Sequence, residues 1–182
     1  MAALLEPSAS EPLTSIRLAQ PVDAAALASF AARTFRETFE ADNTTEDLAL
    51  YLAAHYGPER QAAEIRDPGI VTLLAEDGRR LAGYAQLHEG PAPDCVAGAA
   101  PIEIRRFYVD RNWQGRGVAQ TLMMASIEAA MERGAGTVWL AVWERNLRAQ
   151  AFYRKCGFAD CGAKEFLLGR DRQIDRVMVR AL

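Results

Sequence analysis

Residues Ile102–Ala130 read IEIRRFYVDRNWQGRGVAQTLMMASIEAA. The first eight favour a strand, the middle carries a glycine-containing turn, and the rest is an apolar helix. The helix's first turn is expected to hold Gly115-Arg116-Gly117. A helix start leaves backbone N–H groups without intrahelical partners, and the helix dipole adds about half a positive charge there. Such a start suits a phosphate-bearing ligand. A Gly-x-Gly turn is also a common tight connection, and the sequence contains no Gly-x-x-x-x-Gly-Lys-Ser/Thr run that would mark a nucleoside-triphosphate loop.

A second stretch, Asn146–Phe158 (NLRAQAFYRKCGF), follows at a fixed distance. Taken together, the two resemble the GNAT superfamily of acetyl-CoA-dependent N-acetyltransferases. Its pattern Gln/Arg-x-x-Gly-x-Gly/Ala meets Gln114, Gly115, Arg116, Gly117, Val118 and Ala119. Its pattern Asn-x-x-Ala-x-x-Phe-Tyr-x-x-x-Gly-Phe meets Asn146, Ala149, Phe152, Tyr153, Gly157 and Phe158. The resemblance runs almost end to end. It implies an α/β fold, a mixed and mostly antiparallel central sheet flanked by helices in one domain over residues 13–182, after a flexible arm over 1–12.

The resemblance also implies site roles. Backbone amides from Gly115 to Ala119 would face the pyrophosphate of acetyl-CoA, with Gln114 at the turn and Arg116 adding charge. Phe107, Tyr108 and Val109 would pair with the pantetheine arm as an added strand. An N–H near Val109 would stabilise the oxyanion, a contact typically worth roughly 3–4 kcal/mol. Asn146 would touch the cofactor while capping its helix, and Tyr153 would return a proton to the departing thiolate. A lysine-like amine costs roughly 4–5 kcal/mol to deprotonate at pH 7. Glu103, amid the motif strand where the histone-acetylating branch carries its glutamate, is the candidate base. The alternative for Glu103 is an ion pair with Arg105 or Arg106; for Tyr153, a packed core ring.

Flanking residues give a finer resemblance, to bacterial polyamine N-acetyltransferases of the PaiA type. It rests on Arg36-Glu37-Thr38-Phe39 with Asn43 and Asp47, on Trp139 through Asn146, and on the tail from Gly162 through Asp175. Lys164 departs from it, since that group tends to carry histidine there. Phe35, Glu37, Phe39, Glu40 and Trp143 are the candidate acceptor-binding residues. Glu37, Glu40, Asp42, Glu46 and Asp47 place five carboxylates in eleven residues, either an acidic rim for a polycation or a solvated face. Protein lysines or N-termini are alternative acceptors, and a non-catalytic acyl-CoA-binding module is the reading from another class.

The composition agrees with one globular domain: 182 residues, half of them hydrophobic, net charge −3. Basic residues are scattered, which argues against a nucleic-acid partner. No apolar run approaches the ~18 residues of a membrane span, and the N-terminus lacks a basic leader. A cytoplasmic location is expected, with a homodimer possible by family habit. Cys95, Cys156 and Cys161 lack zinc-ligand spacing, His55 and His88 lie far apart, and no metal is expected. Of the cysteines, Cys156 and Cys161 are the two that chain proximity could bring together.

Periodicity and breakers place the remaining elements. A first strand over Leu13–Leu18 is followed by a helix capped by Asp23 and running to about Phe39. Two shorter helices begin at Thr45 and Pro58. Ile70–Ala75 and Arg80–Leu87 make a hairpin, and Glu89–Pro101 is a loop. A strand over Thr137–Val142, a helix over Leu147–Cys156 and two strands over Phe158–Leu168 and Arg172–Arg180 complete the chain.

Overall fold

The computed structural model describes residues 15–182. The arm read over 1–12, and the start of the first strand at Leu13 and Thr14, lie outside the described residues. In chain order the elements are β1 (Ser15–Leu18), α1 (Ala24–Phe39), α2 (Thr45–His55), α3 (Pro58–Arg66), β2 (Ile70–Asp77), β3 (Arg80–Glu89) and β4 (Pro101–Val109). They continue with α4 (Val118–Glu132), β5 (Thr137–Trp143), α5 (Leu147–Lys155), β6 (Ala159–Leu168) and β7 (Asp171–Ala181).

The seven strands form one sheet in the order β1-β2-β3-β4-β5-β7-β6. Every neighbouring pair is antiparallel except β4 and β5. This is the mixed, mostly antiparallel α/β architecture expected. Each face of the sheet carries its own core. On one, α4 buries Val118, Leu122, Met123 and Ile127 against Leu73, Leu87, Ile104 and Val138. On the other, α1 and α2 bury Leu27, Phe30, Phe35, Leu48 and Leu52 against Leu74 and Tyr84. The α1 stripe at 27, 30, 31 and 35 is the one that a 3.6-residue period dictates.

Local chemistry changed three boundaries. Asp23 holds the N-cap position of α1, but its side chain makes no capping hydrogen bond to the helix. Its carboxylate accepts from the Gln20 amide at 2.7 Å, closing a short 3-10 turn over Pro21–Asp23, and pairs with Arg17 at 2.7 Å. The β2–β3 turn is only Gly78-Arg79, because Glu76 and Asp77 stay in the ladder. Gly115-Arg116-Gly117 precedes α4 and does not form its first turn. Gly115 and Gly117 have φ of 77° and 84°, a left-handed backbone that no helical residue adopts.

Candidate active site

β4 and β5 are paired only from Pro101–Thr137 to Glu103–Trp139. Beyond that point β4 stays with β3 as far as Val109–Gly83, while β5 follows β7 as far as Trp143–Asp175. An irregularity in β4 accompanies the separation. Gln86 faces Arg106 and Leu87 faces Ile104, which leaves Arg105 as an extra residue on β4. Such a bulge bends its strand and increases its twist. A cleft of about 420 Å³ opens between the two arms.

Several expected residues meet in this cleft: Glu103, Phe107, Tyr108, Val109, Trp143, Asn146, Tyr153, Phe35 and Phe39 all line it. The facing edges of β4 and β5 offer unsatisfied main-chain groups to an extended ligand, as an added strand would use them. Gln114 to Ala119 lie apart from the cleft lining, at the entrance to α4. Thr121 is the first residue whose amide closes back, donating to the Gly117 carbonyl at 3.1 Å. The amides of Val118, Ala119 and Gln120 therefore point out of the helix start with its dipole behind them. Gln114 donates to the Val109 carbonyl at 3.3 Å, and the Arg116 guanidinium lies 5.2 Å from the Trp113 ring centre. A free strand edge leading to a helix entrance fits an extended thioester carrier with a diphosphate.

Tyr153 projects from α5 among Phe107, Phe152 and Phe158. Burial pushes its phenol above the ordinary value, so it holds its proton across the neutral range. Asn146 caps α5, its side chain accepting from the Ala149 amide at 3.1 Å. That leaves its amide nitrogen for the cleft.

The opposite wall is aromatic. Phe35 stacks on Tyr51 with centroids 4.7 Å apart, Phe39 lies 5.8 Å from Trp143, and Phe166 closes on Tyr51 at 5.4 Å. His55 sits 4.3 Å from Tyr51 and is held below its usual range by burial and by Arg106. Glu103 is 8% exposed and takes a 2.7 Å contact from the half-exposed Arg105. The ion-pair reading of Glu103 and its place in the cleft therefore hold together. Arg106 does not join it. Its guanidinium is buried on Glu64 at 2.6 Å and on the Gln86 side-chain oxygen at 2.7 Å, tying α3 to β4.

Two expected acceptor contacts lie elsewhere. Glu37 and Glu40 are not part of the cleft wall. Glu37 pairs with Arg33 at 3.1 Å and Arg111 at 3.7 Å. Glu46 and Asp47 both pair with Arg170. Three of the five carboxylates in the acidic run are thus paired with arginines. The carboxylate that sequence reading did not single out as a site residue is Asp175, on β7 opposite Trp143 and Lys164. It lines the cleft at 8% exposure, and burial pushes it up to about 6. Alternation was the available signal: Gln173, Asp175 and Val177 share one face of their strand, and all three are buried.

The family comparison agrees with this geometry. The profile of the Acetyltransferase (GNAT) family matches residues 28–158, and the chain belongs to that family. It is an acetyl-CoA-dependent N-acetyltransferase. An uncharacterised N-acetyltransferase of Mycobacterium tuberculosis is 36% identical over 160 residues, spanning 88% of this chain and 98% of that one. A probable spermine N(1)-acetyltransferase of Bacillus subtilis subsp. natto is 26% identical over 103 residues, 56% of this chain and 64% of its own. The PaiA N-acetyltransferase of Thermoplasma acidophilum, solved in complex with coenzyme A, shares the fold. It has a TM-score of 0.75 at 20% identity, over 93% of this chain and 99% of that one. Among the described residues no cluster of His, Cys, Asp or Glu is arranged to hold a metal. No described helix is long and apolar enough to cross a membrane.

Proposed function

We propose that the acceptor is a small cationic amine, polyamines among them, acetylated by direct attack while both substrates are bound. The observation that carries this reading is the pairing of an aromatic wall with two carboxylates, Glu103 and Asp175, in one cleft. Aromatic faces attract ammonium groups, more strongly when water is excluded. A buried carboxylate gains most from a cation brought beside it.

In this scheme Asp175 and the rings hold a distal ammonium, and Glu103, directly or through water, takes the proton from the reacting one. Acetyl-CoA supplies the thioester. The main chain around Val109 faces the charge that develops on the carbonyl oxygen, Gly115 to Ala119 face the diphosphate, and Tyr153 donates its proton to the sulfur that leaves. The name of the Bacillus relative, a probable spermine acetyltransferase, points the same way.

The test is free-thiol release from acetyl-CoA with a panel of spermine, spermidine, short monoamines and peptides bearing lysine or free N-terminal acceptors. The polyamines should give the highest kcat/KM. Preferred peptides would make the chain a protein acetyltransferase. Tight coenzyme A binding with no turnover on any member of the panel would place the acceptor outside these amines and overturn the reading.

A further inference from the structure

The loop over residues 90–100 joins β3 to β4 and does not enter the cleft. It packs instead on the start of β5 and on β6. The Gly136 amide donates to the Ala99 carbonyl at 3.1 Å, and Gly98 sits so close to Thr137 that a side chain there would collide with it. At its centre Cys95 comes down on β6, its sulfur 3.6 Å from that of Cys161. Sequence proximity favoured Cys156 for this partner, but Cys156 ends α5 and packs against the core beneath α4.

The contact between Cys95 and Cys161 is built into both segments. Cys161 is the irregular residue in the β6–β7 ladder, where Asp160 faces Met178 and Gly162 faces Val177. A Cβ at Gly162 would lie 2.8 Å from the Cys95 sulfur, so only glycine lets the loop settle there. Both cysteines are half-buried, within reach of a small reagent. From 3.6 Å, a bond of about 2 Å needs the two sulfurs to approach by roughly 1.6 Å.

We infer that Cys95 and Cys161 are a modification site: a dithiol that exchanges with a low-molecular-weight disulfide and closes to an intramolecular cystine. Cys95, its thiol first giving its proton to solvent, attacks the reagent disulfide, forming a mixed disulfide and releasing one thiolate, which solvent protonates. The Cys161 thiol then gives its proton to solvent, and its sulfur displaces the second thiolate from Cys95, which solvent protonates in turn. The protein loses two hydrogens and the reagent disulfide becomes two thiols. Burial, and then the neighbouring Cys95, push the Cys161 thiol up to about 11, so it keeps its proton at neutral pH and ring closure is the slower step, quickened by raising the pH. The bond would tie the approach to β4, which carries Glu103, to β6, which carries Lys164.

The full chain has three cysteines, so Cys156 serves as an internal reference. After incubation with oxidised glutathione, intact mass should fall by two hydrogens. Maleimide should then label one cysteine where it labelled three, and peptide mapping should join Cys95 to Cys161. The cystine closes a span of 66 residues, and should raise Tm by roughly 5–10 °C, reversed by dithiothreitol. Cys95→Ser and Cys161→Ser should each abolish the mass change and the Tm shift, while Cys156→Ser keeps both. Three labelled thiols after oxidation, a Cys156 crosslink, or stable glutathione adducts without ring closure would overturn the inference.

Discussion

Glu103 and Trp139 form the last residue pair that β4 and β5 share. The candidate base therefore sits at the vertex of the cleft, where one strand edge turns from protein partner to ligand partner. A carboxylate at that point is buried by the sheet below it and open to the acceptor above. Glu103→Gln keeps the shape and removes the proton acceptor. It should lower kcat about 100-fold, with coenzyme A affinity unchanged by calorimetry.

Tyr153→Phe removes one hydroxyl from an otherwise aromatic surround. The ring contacts with Phe107 and Phe158 persist, so stability should change by less than about 1 kcal/mol. Turnover should fall ~100- to 1000-fold, the range for a lost general acid. A donor with a more acidic thiol leaving group should recover part of the loss. Equal losses with both donors would remove Tyr153 from the proton's path.

Asp175 links stability and specificity with opposite signs. Its carboxyl ionises near 3.8 when unconstrained and near 6 in the fold. Below the lower value both states hold the proton. Between the two, only the folded chain keeps it, so stability falls as pH rises through that window and stays reduced above it. Asp175→Asn should therefore stabilise the unliganded protein at pH 7 by about 2 kcal/mol, measured by urea denaturation. The same variant should raise KM for a cationic acceptor about tenfold or more. In the unsubstituted protein that KM should climb as pH drops below about 6.

The buried pair of Arg106 and Glu64 makes a different prediction. Both groups are under 10% exposed and meet at 2.6 Å. Burial raises the Glu64 carboxyl, yet Arg106 and Arg60 together hold it below its ordinary value. Arg106→Met leaves that charge without its main partner and should cost about 3–5 kcal/mol. Adding Glu64→Leu should recover most of that loss, because an apolar pair avoids the desolvation of both charges. Denaturant midpoints of the two single variants and the double variant check this.

Elements set by local pattern were legible in the chain. The α1 stripe, the Gly78 turn and the stop at Gly157 each follow from side-chain period or backbone freedom, and the cofactor patterns located β4, α4 and α5. Features set by distant partners were not. Nothing in Ile104-Arg105-Arg106 shows that one arginine is squeezed out of the ladder while the next is buried on α3. Glu37 and Asp47 read as open acidic residues because Arg111 and Arg170, which neutralise them, lie far along the sequence. Asp175 alternates with Gln173 and Val177 on one face of its strand, but nothing local shows that this face lines a cleft. Its burial depends on β7 lying between β5 and β6, a neighbour order that no single strand encodes.

The narrow shared stem of β4 and β5 has an evolutionary consequence. Three residue pairs hold the two arms together, and past them each is braced by its own neighbour. Substitutions past the stem on one arm need not disturb the strand pairing that braces the other. A lineage built on this plan can vary one wall of the cleft while the other keeps its own bracing.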